Sequence, residues 1–301
     1  LLPAFLAVSN GDPVHAEVIT RGNEDVLDAR LQDAAFSFDK DRDAGLEALG
    51  ARLDAIVFPQ RLGTMAQKRD RLAALVEALG DAVGAAPGAR AAAEAAARLA
   101  KADQGAVLVA EFSELEGYVA AEYARIEGHP DGVARAIEEQ YLPEGPDSPL
   151  PASEAGALVA VADRIDNLVG AFAVDEAPTG SKDPYGLRRA AMGVVRVALD
   201  RAWDADHRAL LAAAHRLLRE QGADLARDEA STVEAVDAFL ADRLGYVLGA
   251  EGVGAEAVAG AVAGRVGGRG EHWPVADHDD PLLPHAEARQ HRALGGGERH
   301  H

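Results

Sequence analysis

Apolar residues recur at intervals of three and four along most of this chain, and that spacing allows little besides helices. Leu46, Leu49, Leu53, Ile56 and Val57 follow it, as do Leu72, Leu75, Val76 and Leu79, which places each set on one side of a helix with 3.6 residues per turn. Leu158, Ala162, Ile165, Val169 and Phe172 form a third stripe behind Ser153, a good N-cap. Alanine and glycine dominate while aromatic residues make up only 5%, so the cores should be close-packed helices joined by glycine-containing turns. With 301 residues and 48% hydrophobic content, the chain has material for about two domains with buried cores.

Punctuation divides the pattern. Ala4 to Val8 and Ala16 to Thr20 flank Gly11-Asp12-Pro13 and read as two short strands with a turn. From Asn23 onward the signals are helical. Phe58-Pro59 closes one helix, Leu62-Gly63-Thr64 makes a turn, and Gly84 to Gly88 forms a loop. A long alanine-rich helix is expected next, carrying Leu99, Ala102, Ala106 and Val109 on one face, then another from Glu114 toward Ile126. Tyr141 to Pro151, with four prolines, reads as an extended surface connection. Beyond Asp200, Ala209 to Leu218 is amphipathic, and Ser231-Thr232-Val233-Glu234 is a capping box. It opens a helix with Val233, Val236, Leu240, Leu244 and Val247 inward, and Phe239 and Tyr246 read as core. His207 and His215 read as surface or core histidines and not as ligands.

The formal net charge is −20, which argues against a protein that coats nucleic acid indiscriminately. It leaves room for local phosphate contacts, because affinity depends on where a few cations lie. There are no cysteines, hence no disulfides or thiolate metal sites. No apolar run approaches the ~20 residues of a membrane span. Leu1 to Val8 lacks the features of a signal peptide, and the sequence reads as a fragment entered at the tail end of a preceding domain.

Residues 178 to 191 carry the most chemical information. Pro178 and Gly180 end what precedes them, Asp183 and Pro184 suit a helix start, and Leu187 to Leu199 continues with helical spacing. Lys182, Arg188 and Arg189 stand at this junction, where a helix N-terminus offers unpaired N–H groups to an anion such as phosphate. The competing reading makes these cations ion-pair partners of the many carboxylates. Lys68, Arg69 and Arg71 are a second basic set with the same two readings, RNA-facing patch or solvated helix face.

The run Gly180-Ser181-Lys182-Asp183-Pro184-Tyr185-Gly186-Leu187-Arg188-Arg189-Ala190-Ala191 resembles the signature of the bacterial glycyl-tRNA synthetase beta subunit. Other stretches match that family in order: Arg21 to Leu27 with Ala29 to Ala34, Arg61 to Lys68, Ala100 to Asp103, Glu111 to Gly117 and Ala162 to Asp166. The resemblance covers roughly residues 5 to 264. It implies a mainly α fold: the end of a preceding domain with short β segments (1–20), an all-helical HD-like domain (21–205) and the start of a helical anticodon-binding domain (206–264). From Arg265 the sequence departs from the family, and the composition of 265–301 reads as a disordered tail or an out-of-frame stretch of GC-rich DNA.

An active HD site requires a histidine, a histidine-aspartate dyad and a distant aspartate to hold a divalent ion. Here Ala102 and Asp103 stand in the dyad's place and Asp163 in that of the last aspartate, with no histidine between His15 and His129. No metal is expected, and Asp103, Asp163 and Asp166 should be buried or half-buried carboxylates bonded to backbone or arginine. Six of the ten histidines fall in the tail, where His278-Asp279 has no helical context.

By resemblance, the chain contributes tRNA binding and subunit assembly to a cytoplasmic glycine-tRNA ligase. ATP, magnesium and the aminoacylation chemistry would reside on a partner alpha subunit in an alpha2-beta2 heterotetramer acting on tRNA(Gly). This chain carries no ATP-binding loop, so neither a catalytic residue nor a cofactor is assigned to it. A metal-dependent HD phosphohydrolase and a protein-binding helical scaffold are the alternatives.

Overall fold

The structure is a computed structural model that describes residues 4–58, 61–250 and 252–254. Among them it is helical, with no strand and only two isolated bridges, Val57 with Thr64 and Thr179 with Lys182. The helices are α1 (Ala16–Ala44), α2 (Leu46–Ala51), α3 (Met65–Ala82), α4 (Pro87–Leu99), α5 (Val107–Glu111), α6 (Tyr118–Ile126), α7 (Asp131–Glu139), α8 (Glu154–Ala173), α9 (Leu187–Asp200), α10 (His207–Glu220) and α11 (Glu229–Ala250).

Helix α8 is the axle. All its residues except Glu154 and Asn167 are buried, as expected of a helix that is apolar on every side, and α3, α4, α7, α9, α10 and α11 pack around it. The stripes on α3, α8 and α11 point inward, as do Leu46, Leu49 and Leu53, but the first stripe is cut short: the chain becomes extended at Ile56 after a 3-10 turn, Arg52–Ala55, and Val57 is 65% exposed. The core runs without interruption from Leu46 to Leu248, so α10 and α11 share it across the boundary expected at residues 205 and 206. No helix of the described residues is long and apolar enough to cross a membrane.

Several sequence expectations are corrected. Ala16 to Thr20 is helix, not strand: Asp12 accepts a hydrogen bond from the Val14 N–H at 3.0 Å and Pro13 opens a 3-10 turn that runs directly into α1. The Asp-Pro pair is a helix start, and it outweighs the strand preference of the β-branched residues after it. The last long helix begins at Glu229 because Asp228 accepts from both the backbone and the hydroxyl of Ser231, outcompeting the later capping box. Tyr246 is 66% exposed rather than core, whereas Phe239 packs against Phe172. His207 and His215 are core residues, bonded to Asp237 and to the Arg227 carbonyl. His278-Asp279 and the tail expected to be disordered lie outside the described residues.

The expected long helix through Ala102 breaks after Leu99. Lys101 takes a left-handed conformation with φ 63° and the chain makes a short 3-10 turn, Ala102–Gly105. That turn lies against α2: a Cβ on Gly105 would sit 2.2 Å from the Leu49 carbonyl oxygen. Because the obstacle is backbone, Gly105→Ala should destabilise the protein by about 1–2 kcal/mol, read as a lower urea midpoint. An unchanged midpoint would contradict this close approach.

The connection from Tyr141 to Pro151 has no regular structure, and arginines satisfy its carbonyls. Arg164 donates to Gln140, Tyr141 and Pro143 at 2.9–3.2 Å, Arg196 to Gly145 and Ser148, and Arg201 to Pro151. Backbone groups that helices would pair internally are thereby bonded to side chains.

Candidate functional site

The seam between α3 and α8 gathers most of the buried charge. Lys68 and Arg71 leave α3 four and one residues before Leu72, and their side chains enter the interior at 2% and 1% exposure. Arg71 holds Asp166 through two donors, Nε at 2.6 Å and Nη2 at 3.0 Å, and also reaches Gln221 at 2.7 Å. Lys68 Nζ lies 2.9 Å from Asp163 Oδ1, 3.1 Å from Asp166 Oδ2 and 2.9 Å from Asn167 Oδ1. Lys101 Nζ closes on the other oxygen of Asp163 at 3.1 Å while lying 3.9 Å from the Tyr141 ring centre. Tyr141 in turn donates to Asp103, which also accepts from the Gly117 N–H.

Burial pushes the Asp163 and Asp166 carboxyls up, but neighbouring cations outweigh it. Lys101 and Lys68 hold Asp163, and Lys68 and Arg71 hold Asp166, below the ordinary carboxylate range. Asp103 has weaker compensation, so burial leaves its carboxyl raised. The structure thus joins Asp103 to Asp163 through Tyr141 and Lys101 and buries Asp103, Asp163 and Asp166; Asp103 has the expected backbone partner and Asp166 the expected arginine, whereas Asp163 is held by two lysines instead. The expected patch of Lys68, Arg69 and Arg71 is not a surface feature. Lys68 and Arg71 neutralise α8 from inside, and Arg69 is bonded to Asp70 and the Gly50 carbonyl.

These donors do not fit a divalent ion. Both oxygens of Asp163 face ammonium groups, Asp103 is bonded to an amide and a phenol, and no imidazole completes a set. No three metal-ligating side chains converge among the described residues.

Above the seam lies the 178–190 loop. Asp183 stands four residues before α9 and accepts from the first two helical amides, Leu187 N–H at 2.8 Å and Arg188 N–H at 3.0 Å. This corrects the expectation of unpaired amides awaiting phosphate, since a carboxylate already occupies them. Arg188 ties the loop to itself by donating to the Gly180 carbonyl at 2.7 Å, with its other nitrogen 3.8 Å from Asp183. Lys182 and Arg189 are exposed and have no side-chain hydrogen bond or ion pair among the described residues. Gly186 has a φ of +64°, so an alanine there would be strained, while a Cβ would meet only the movable end of the Arg189 guanidinium at 2.9 Å.

Two clefts open beneath this loop and share Asn167 and Tyr185. One, of about 410 Å³, is walled by Phe58, Leu62, Ala171 and Leu187 with Glu176 among its polar lining. The other, of about 440 Å³, is polar and is lined by Asp163, Arg164, Arg189, Glu116 and Glu144 among others. Sequence reasoning passed over Lys101, Tyr141, Asn167 and Tyr185. The available signals were Lys101 directly before Ala102-Asp103, and polar Asn167 on an otherwise apolar helix.

The family model described as glycyl-tRNA synthetase beta subunit matches residues 1–263. The chain belongs to the glycyl-tRNA synthetase beta subunit family. It is similar to proteins named glycine–tRNA ligase beta subunit from Ligilactobacillus salivarius (36% identical over 250 residues, 82% of this chain and 36% of the relative) and Desulfitobacterium hafniense (38% over 252 residues, 84% and 36%). The same name attaches to a relative from Desulforudis audaxviator, 44% identical over 200 residues, 66% of this chain and 29% of the relative. The chain therefore spans about a third of the length of the beta subunits it matches.

Proposed function

We propose that this chain is the part of a beta subunit that contributes tRNA binding and subunit assembly to glycine-tRNA ligase. ATP, magnesium and the aminoacylation site would lie on a cytoplasmic alpha-subunit partner, in an alpha2-beta2 assembly acting on tRNA(Gly). Family membership supports the ligase context. The observation that carries the RNA role is the pair of exposed cations at one loop-to-helix junction, Lys182 in the loop and Arg189 in the first turn of α9, where Asp183 is already bonded to the helix amides and Arg188 to the Gly180 carbonyl. On a body with net charge −20, unpaired cations at one junction mark where a phosphate backbone could approach. The experiment is filter binding of tRNA(Gly) to the chain across a salt series. Binding that weakens steeply with salt supports the reading, and absence of binding at about 0.05 M salt contradicts it.

Two activities should be missing. The chain alone should give no glycine-dependent ATP–pyrophosphate exchange, and exchange would overturn the assignment of chemistry to the partner. Manganese-dependent release of phosphate from nucleotides should also be absent, because the carboxylate lone pairs that would hold the ion are taken up by ammonium groups. Hydrolysis by residues 1–264 that disappears in Asp163→Ala would restore the phosphohydrolase alternative.

A further inference from the structure

The two clefts under the 178–190 loop differ in chemistry but join at Asn167 and Tyr185. Apolar walls and two aromatic rings, Phe58 and Tyr185, characterise the first. Asn167 Oδ1 accepts from Lys68 Nζ at 2.9 Å and its side chain makes no other hydrogen bond among the described residues, which leaves its amide nitrogen as a donor at the junction. Glu176, which lines the first cleft together with Tyr185, is exposed and supplies acceptors.

The second cleft contains Arg189, unpaired and set against Gly186. Its neighbour Arg164 has its donors committed to carbonyl oxygens, and Arg189 is bonded to none of the carboxylates that line the cleft, Asp163 among them. Glu116 and Glu144 line the same cleft and would repel a polyphosphate, whereas a singly charged phosphodiester balances one guanidinium.

We propose that the joined clefts hold one unstacked nucleotide of an RNA strand, its base against Tyr185 and Phe58, its polar edge at Asn167 and Glu176, and its phosphodiester on Arg189. Aromatic faces accept any base, and a free guanidinium takes the backbone. This rests on the tRNA reading above and adds a definite seat for one residue of the RNA. Tyr185 is 45% exposed and lies outside the buried core, so its replacement leaves the core intact.

The test uses the full 301-residue chain with two probes, tRNA(Gly) in filter binding and single nucleoside 5′-monophosphates in saturation-transfer NMR. Tyr185→Ala should raise the tRNA dissociation constant about tenfold, the effect of losing one stacked base, while Tyr185→Phe should stay within about twofold because the ring remains. Arg189→Gln should weaken mononucleotide binding. Unchanged tRNA binding by Tyr185→Ala, with the wild type binding, overturns the seat and leaves the tRNA reading standing. Mononucleotide binding that needs Tyr185, in a chain that does not bind tRNA, keeps the seat for free nucleotides and removes the tRNA reading. If neither probe binds, both fall.

Discussion

Asp166→Ala should cost about 3–5 kcal/mol, because it removes one partner of a buried ion cluster and leaves the others inside. Arg71 would keep Gln221 and a distant carbonyl but lose both hydrogen bonds to the carboxylate. Lys68 would retain Asp163 and Asn167, so Arg71 bears most of the loss. For a chain of this size the melting temperature should fall on the order of 10 °C. Because Lys68 and Arg71 hold the Asp166 carboxyl below its ordinary value, its contribution is complete above the unfolded carboxyl's value near ~4 and is lost as pH falls through the folded one. The gap between wild type and variant should therefore be widest near neutrality and narrow in acid. A combined Lys68→Met, Arg71→Met, Asp166→Leu variant should recover much of the loss, since well-packed apolar replacements of buried ions are often close to neutral. A loss below about 1 kcal/mol for Asp166→Ala would contradict the account of this seam.

The same seam shows what the sequence discloses and what it hides. Leucine and valine stripes at positions such as 72, 75, 76 and 79 announce their own burial, because apolar side chains have no better option than the core. Lys68 and Arg71 look like surface charges until Asp163 and Asp166 are brought beside them from nearly a hundred residues away. Their spacing holds the clue, for Lys68 sits one turn before Leu72 and so extends the apolar stripe backwards. The carboxylates are easier to read: flanked on α8 by alanine, leucine, isoleucine and valine, they have to be buried and bonded. At the 178–190 loop, residue types tell of a loop-to-helix junction and its cations. They mark Asp183 as a cap but place the helix start at Pro184, whereas α9 begins at Leu187 with Asp183 reaching past Gly186 to its amides, and they do not tell that Arg188 turns back onto Gly180. Those bonds depend on loop geometry, and they leave Lys182 and Arg189 exposed and without side-chain partners among the described residues. The break at Lys101 is hidden for a similar reason, since alanine-rich sequence favours helix and only the packing against Leu49 and Asp163 halts it.

The division of labour among the basic residues leads to the second large effect. In the proposed reading Lys182 and Arg189 carry the RNA-facing charge, while Lys68 and Arg71 are bonded inside the seam between α3 and α8. Replacing Lys182 and Arg189 by alanine should weaken tRNA(Gly) binding on the order of 30-fold at about 0.05 M salt and leave the melting temperature near that of wild type. Each phosphate left without its cation flattens the plot of log affinity against log salt by roughly 0.7–0.9. Lys68→Met should do the reverse, lowering stability while the salt slope of the folded protein stays unchanged. The most direct measurement is therefore that slope, determined by filter binding for the wild type and for the Lys182→Ala/Arg189→Ala variant. The account predicts a flattening of about 1.5 units; equal slopes and equal affinities would show that the loop does not face the RNA.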